Sequence, residues 1–189
     1  MTRKPNWLIF SFILTGTLIF HSALTLGQNF KASENEGWVV SIEEAYELSE
    51  KTNKPILANF TGSDWCGWCK KMDRDTYANP IIANYINNNY HAVKMDGEGS
   101  EPITYKDYTF KLQQQGRTKY HELTAALMNG KLSYPTTVIL NKEEKLLDRI
   151  PGYLDARKME MVLAYFTRKE RKPKKWADFV KNFKSNIKE

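Results

Sequence analysis

The stretch Asp64-Trp65-Cys66-Gly67-Trp68-Cys69-Lys70 holds the only two cysteines of this 189-residue chain. Paired thiols trade two electrons by closing or opening an S–S bond. A spacing of two intervening residues lets a short loop or one helical turn bring both sulfurs within bonding reach. The run before them, Pro55-Ile56-Leu57-Ala58-Asn59-Phe60, reads as a short buried strand, and the run after them, Lys70 to Tyr77, reads as a helix carrying Met72 among charged residues. Cys66 therefore falls at a helix N-terminus. Orphan N–H groups and the positive end of the helix dipole favour a thiolate there, and Lys70 and Lys71 add positive charge. Cys66 is expected to be the nucleophile, with a lowered pKa, and Cys69 the resolving thiol, one helical turn in and more buried. A permanent disulfide closing the same small loop is the structural alternative, and it would restrain the unfolded chain little.

The elements that must position this pair follow from pattern and punctuation. Trp38-Val39-Val40 reads as a short strand. Ser41 and Glu44 form a capping box, and Ile42, Ala45 and Leu48 mark one face of a helix that runs to about Thr52 and closes at Asn53-Lys54-Pro55. After the cysteine helix, Asn79-Pro80 opens another, with Ile81, Ile82, Tyr85 and Ile86 on its apolar side. His91 to Asp96 alternates as the next strand, completing a β-α-β unit. Thr136 to Leu140 and Lys145 to Ile150 read as strands joined by an Asn141–Glu144 hairpin turn. Asp155 caps a helix with Met159, Val162, Leu163 and Phe166 on one face. Between Gly97 and Gly130 the pattern favours a helix over Lys119–Met128 behind a decorated loop containing Tyr105, Tyr108 and Phe110. A lid or docking surface beside Cys66 is the sharper reading of that segment.

The two ends differ from the body. Arg3 and Lys4 precede an apolar run from Trp7 to Phe20 and small residues up to Gly27. This is the pattern of an export signal over residues 1–27, with an uncleaved membrane anchor as the alternative. The segment from Arg168 to Glu189 carries nine Lys/Arg against three Asp/Glu, so the chain's formal charge of +6 is concentrated there. A nucleic-acid footprint spread over the whole protein is thus poorly supported. Within that segment Trp176, Phe179, Val180, Phe183 and Ile187 recur at helical spacing. They suit a helix packed on the domain or an amphipathic segment resting on an anionic membrane or a partner.

Metal chemistry is the main rival to redox exchange. A structural zinc takes four ligands, whereas the chain has two cysteines and three histidines. His21 lies in the expected export signal, and His91 and His121 stand at no ligand spacing and are expected to be ordinary structural residues. No Ser-His-Asp set, phosphate-cradling loop or pair of catalytic carboxylates stands out.

With Trp before the first cysteine, Lys after the second, an apolar strand upstream and Tyr134-Pro135-Thr136 downstream, the chain resembles the thioredoxin superfamily over about Trp38 to Thr167, and most of all its extracytoplasmic members. The resemblance implies an α/β thioredoxin-like fold, a central mixed sheet flanked by helices. It implies that Pro135 is cis and faces the cysteines, and that the backbone of Tyr134 pairs with an extended substrate chain. Trp65 and Trp68 would form an apolar rim around the sulfurs. Two departures stand out. Gly67-Trp68 replaces the Gly-Pro of thioredoxin, and Asn59 replaces the acidic residue expected on the strand beneath the cysteines, where it can hydrogen-bond but not titrate.

These readings combine into an exported thiol–disulfide oxidoreductase acting on protein disulfides through Cys66 and Cys69, leaning towards reductase or isomerase. It needs no cofactor and no metal, and it has a redox partner protein. Residues 1–27 are the signal, 28–168 the thioredoxin-like domain and 169–189 a basic helical extension, with peripheral membrane contact through that helix as an option. The product is expected in the periplasm or secreted, and nucleic acid is not expected as a partner. A non-catalytic binding module and a zinc or copper carrier are the alternatives.

Overall fold

The structure, a computed structural model, describes residues 38–105, 107–143, 145–168 and 175–188. The expected signal over residues 1–27, the lead-in to Gly37 and residues 169–174 of the basic extension lie outside them. In chain order the elements are β1 (Trp38–Val39), α1 (Ile42–Thr52), β2 (Ile56–Thr61), α2 (Gly67–Met72), a π-helical turn (Asp73–Tyr77), α3 (Pro80–Asn89), β3 (His91–Asp96), β4 (Ile103–Tyr105), β5 (Tyr108–Phe110), β6 (Leu112–Gln115), β7 (Thr118–His121), α4 (Glu122–Leu127), β8 (Thr136–Leu140), β9 (Leu146–Pro151), α5 (Ala156–Thr167) and α6 (Trp176–Asn182).

Five strands form a mixed sheet in the order β1-β3-β2-β8-β9, with β1, β3 and β2 parallel and β8 antiparallel to both β2 and β9. Side chains alternate across the pleat. Ile56, Ala58, Phe60, Val93, Met95, Val138 and Leu140 meet α1 and α4 on one face. Leu57, Ala92 and Ile139 meet Met72, Ile82, Ile86, Met159 and Leu163 on the other. β2 is buried along its whole length, as a strand with neighbours on both edges and layers on both faces must be. Its rigid C-terminal end launches the cysteine loop.

Local chemistry sets the helix ends. Ser41 Oγ accepts from Glu44 N at 3.1 Å, and the Glu44 carboxylate accepts from Val40 N at 3.1 Å, one residue outside the usual capping box. Asn53 ends α1 in the left-handed region at φ 61°. Asp155 caps α5 by accepting from Lys158 N at 2.8 Å. The helix expected over Lys70–Tyr77 starts earlier, at Gly67, and widens at Asp73, where Ala78 N donates to the Asp73 carbonyl five residues back. In the widened turn Thr76 and Tyr77 face inward. Thr76 donates to the Leu154 carbonyl at 2.6 Å, and the Tyr77 ring meets Trp38 edge-on at 4.9 Å.

The segment after β3 departs from expectation. Lys119, Tyr120 and His121 belong to strand β7, not to a helix over Lys119–Met128, and α4 covers only Glu122–Leu127. β6 and β7 pair through the two-residue turn Gly116-Arg117, with Gly116 at φ 61° in the position where a type II′ hairpin takes glycine. The Glu122 carboxylate then accepts from Lys111 N and Gln113 Nε2, both at 2.8 Å, and locks the hairpin to the start of α4. A second hairpin, β4-β5, lays Ile103, Tyr105 and Phe110 against the core face that α1 covers, with Tyr105 against Tyr46 at 4.9 Å.

The C-terminal segment also differs. Helical spacing suggests one helix to Ile187, but α6 ends at Asn182 and Phe183 is extended. Tyr165 on α5 meets Trp176 at 5.1 Å and Phe179 at 5.3 Å, and Phe179 meets Phe183 at 5.4 Å. The chain then unwinds because Glu160, a buried carboxylate on α5 at 1% exposure, captures it. Ser185 Oγ, Asn186 N and Asn186 Nδ2 all donate to Glu160, and Ile187 packs against the core cluster. Among the described residues no helix is long and apolar enough to cross a membrane.

Burial opposes ionisation of Glu160, but the bonds from Ser185, Asn186 and Ile187 outweigh it and hold its carboxyl below the ordinary value. A carboxyl lowered by folding stabilises the fold above its unfolded pKa of about 4.3 and loses that contribution as pH falls through the folded value. Glu160→Ala is expected to cost about 1–3 kcal/mol near pH 7 and clearly less near pH 3. Denaturant unfolding at the two pH values measures the difference, and protease cleavage after Lys181 or Lys184 reports release of the C-terminal segment.

Candidate active site

β2 ends at Thr61, and the loop Gly62–Trp65 turns the chain into α2. Cys66 N donates to the Gly62 carbonyl at 3.2 Å, and Cys66 is the N-cap of α2. Cys66 and Cys69 form a disulfide, with an S–S distance of 1.98 Å and Cα atoms 5.3 Å apart. Cys69 N points at both the Cys66 carbonyl, at 3.1 Å, and Cys66 Sγ, at 3.2 Å. That sulfur thus occupies the position of a capping oxygen, where negative charge is favoured. In this oxidised state Cys69 is not the more buried of the two: Cys66 is 3% exposed and Cys69 4%. The attackable bond lies at the floor of the surface rather than on it.

The floor has a raised rim. Trp65 is 64% exposed and Trp68 60%. Trp65 meets Tyr134 edge-on at 6.1 Å, and Trp68 tilts over Tyr153 at 5.5 Å. The Tyr134–Pro135 peptide is cis, Pro135 is buried, and Gly152 N donates to the Pro135 carbonyl at 2.8 Å. The ring of Tyr134 fills a slot that two glycines leave open. A Cβ on Gly62 would stand 2.7 Å from Tyr134 Cδ2 and 2.6 Å from Trp65 Cζ2, and one on Gly97 would stand 2.2 Å from the Tyr134 hydroxyl. Burial, then the Glu98 and Asp96 carboxylates, push the Tyr134 phenol up to about 12. The site residues expected from sequence, Cys66, Cys69, Trp65, Trp68, Tyr134 and Pro135, are thereby gathered on one side of the molecule.

The two lysines after Cys69 divide. Lys70 is exposed. Lys71 pairs with Asp75 and lies 5.2 Å above the Tyr153 ring; the hydrogen bond to Asp75 raises its pKa and lowers that of Asp75. The charge expected from Lys71 at the sulfurs is thus directed to Asp75. Asp64 is exposed. Asn59 is 1% exposed on β2, opposite Thr137, and neither Asn59 Oδ1 nor Thr137 Oγ1 finds a hydrogen-bond partner among the described residues. Burial, with the nearby Asp73 adding to it, raises the Tyr77 phenol well above its ordinary value.

The histidines weighed as ligands have other uses. His91 Nε2 meets Thr52 Oγ1 at 2.6 Å. His121 caps α4 by accepting from Leu123 N at Nδ1, 3.3 Å, and its Nε2 meets the Glu101 carbonyl at 3.2 Å. Among the described residues no group of three or more His, Cys, Asp or Glu is placed to hold a metal ion. Asp96, Glu98 and Tyr153 also lie beside the cysteine loop and its tryptophans. Nothing in their local pattern marks them, because loop packing alone brings them to Ser63, Trp65 and Trp68.

A disulfide at the strand-to-helix junction after β2, with a cis-proline loop entering the neighbouring strand β8 at the same end of a mixed sheet, defines the thioredoxin class of folds. The chain belongs to the thioredoxin-like domain family, which matches residues 42–167. A disulfide bond reductase, DsbH of Chlamydia pneumoniae, is 32% identical over 120 residues, covering 63% of this chain and 64% of that protein. The thioredoxin-related protein DsbJ of the same organism is 23% identical over 121 residues, covering 64% of this chain and 32% of its own length. The chain thus spans less than two thirds of the length of these relatives. A thioredoxin-fold protein from Helicobacter pylori superposes with a TM-score of 0.51 at 18% identity, covering 79% of this chain and 86% of that one. A thioredoxin from Thermus thermophilus superposes with a TM-score of 0.50 at 13% identity, covering 70% of this chain and 87% of that one, and both show the shared fold.

Asn59 offers a test of burial at its position on β2. A carboxyl at that position is desolvated, so its folded pKa lies above the unfolded value of about 3.9. Asn59→Asp is then expected to destabilise little below pH 4 and progressively more as pH rises through the folded pKa. Unfolding of wild type and variant at pH 4 and pH 8 gives the two differences. Equal differences would show that the position is solvated.

Proposed function

We propose that this chain is an exported thiol–disulfide oxidoreductase that reduces or rearranges protein disulfides through Cys66 and Cys69. The observation that carries the reading is the Cys69 N–H aimed at Cys66 Sγ at a helix start. The reductase name of the DsbH relative supports the direction of electron flow.

In the reduced protein the Cys66 thiolate attacks one sulfur of a substrate disulfide. A Cys66–substrate bond forms, the substrate S–S bond breaks, and the other substrate sulfur leaves as a thiolate that takes up a proton. Cys69 then loses its proton and attacks Cys66 Sγ. The Cys66–Cys69 bond closes and the second substrate thiol departs, so two electrons pass from the pair to the substrate. Isomerisation differs only in that a substrate thiol, rather than Cys69, attacks the mixed disulfide. No further cofactor is needed, because the dithiol is the redox group. A dithiol partner protein reopens the Cys66–Cys69 bond by the same exchange.

Trp65 and Trp68 serve as apolar walls for a flexible substrate segment, and the Tyr134-Pro135 loop as the ledge along which its backbone pairs. Residues 1–27 direct export and are removed, or remain as an anchor. Residues 28–168 form the working domain, and 169–189 a basic extension. Lys175, Lys181, Lys184 and Lys188 are exposed, while Phe179 and Phe183 turn into the stack led by Tyr165. This suits contact with an anionic partner or membrane surface through charge more than through apolar insertion.

Turbidimetric reduction of insulin with a dithiol donor tests the proposal. Wild type is expected to catalyse it, and Cys66→Ser to fall to the uncatalysed rate. Cys69→Ser is expected to accumulate covalent adducts that a reductant releases. Equal activity of wild type and Cys66→Ser would leave only a binding module.

A further inference from the structure

Trp65 combines two properties that rarely occur together. Its ring is 64% exposed, yet it is held at three points. Its Nε1–H donates to Glu98 Oε2 at 3.1 Å. Its edge meets Tyr134 at 6.1 Å. Its six-membered ring lies so close over Gly62 that a Cβ there would fall within 2.6 Å. The backbone of Glu98 is itself held. Its N donates to Asp96 Oδ1 at 3.0 Å, and the same carboxylate accepts from Ser63 N at 3.3 Å and from Ser63 Oγ at 2.9 Å. Asp96 therefore ties the turn that carries Glu98 to the loop that carries Trp65, and the Trp65–Glu98 bond closes the ring.

Such a tether does little for the fold, because it holds a side chain that stays largely in water. Its effect is on docking. An exposed tryptophan free to rotate loses that freedom when a substrate segment lies on it, and fixing the ring beforehand removes the loss. Asp96 holds the backbone of Glu98 and so sets the reach of its carboxylate to the indole N–H. We infer that Glu98, with Asp96 behind it, is a positioning residue that holds Trp65 as a rigid wall beside Cys66 for an apolar side chain of a flexible substrate segment. This rests on the exchange chemistry proposed above. Small disulfides, which reach Cys66 without lying on the wall, do not depend on the tether.

The test compares reduced wild type, Glu98→Ala, Glu98→Gln and Trp65→Phe on two substrates, insulin and the small disulfide 4,4′-dithiodipyridine. Glu98→Ala is expected to lower the second-order rate with insulin by about three- to tenfold, through KM, and to change the dithiodipyridine rate by less than about twofold. Glu98→Gln keeps an acceptor for the indole N–H and is expected to restore most of the loss. Trp65→Phe removes the donor and is expected to match Glu98→Ala, with no further loss when both are combined. The indole 1H–15N resonance of Trp65 reads the tether apart from activity: it moves in Glu98→Ala and stays near its wild-type position in Glu98→Gln. An unchanged insulin rate in Glu98→Ala, an equal loss on both substrates, or an unmoved indole resonance overturns the inference while leaving the exchange reaction standing. A wild type inert to dithiodipyridine overturns the exchange reading itself.

Discussion

The hydrogen bond from Cys69 N–H to Cys66 Sγ is the contact on which the site depends. A dipole at a helix start contributes about 0.3–1 kcal/mol to a nearby negative charge, which is less than the 1.36 kcal/mol or so that moves a pKa by one. An N–H bonded to a charged acceptor contributes about 1.5–3 kcal/mol. The bond therefore outweighs the dipole, and both act in the direction that favours a thiolate over a thiol at this position. Lys71 contributes less than its position in the chain suggests, because Asp75 holds it.

That bond requires Cys66 to sit at the helix cap, and the sheet secures this. β2, buried on both faces and paired on both edges, ends at Thr61. The loop from Gly62 has just enough residues to close the Cys66 N to Gly62 O bond before α2 begins. The slot between Gly62 and Gly97 admits Tyr134, so the cis-proline loop comes up against the cysteine loop without a steric barrier. The sheet, the cysteine loop and the ledge are one packed unit, and the walls Trp65 and Trp68 rise from it.

Much of this arrangement was legible in the chain, for local reasons. Cys66 and Cys69 announce themselves by type and spacing, and β2, β3 and β8 by apolar runs. Ser41 and Asp155 mark helix starts by capping chemistry. What the sequence hid is non-local. Lys119-Tyr120-His121 pair as a strand only because Gly116-Arg117 folds them back on Leu112–Gln115. The helical spacing of Trp176 to Ile187 is overruled by a single buried carboxylate, Glu160, that gathers Ser185 and Asn186. Asp96 and Glu98 look like ordinary charges after a strand until the loop packing sets them beside Ser63 and Trp65. The relative burial of the two sulfurs also depends on the walls around them, which spacing does not reveal.

The most direct test of the central claim is the rate of iodoacetamide alkylation of the reduced Cys69→Ser protein between pH 4 and pH 10. If the helix start and its N–H donor hold Cys66 as a thiolate, the rate rises with a midpoint well below the ordinary thiol value of about 8.5 and is already near its plateau at neutral pH. A midpoint at or above 8.5 would contradict the account, because Cys66 would then be a protonated, passive thiol at the pH where it has to attack.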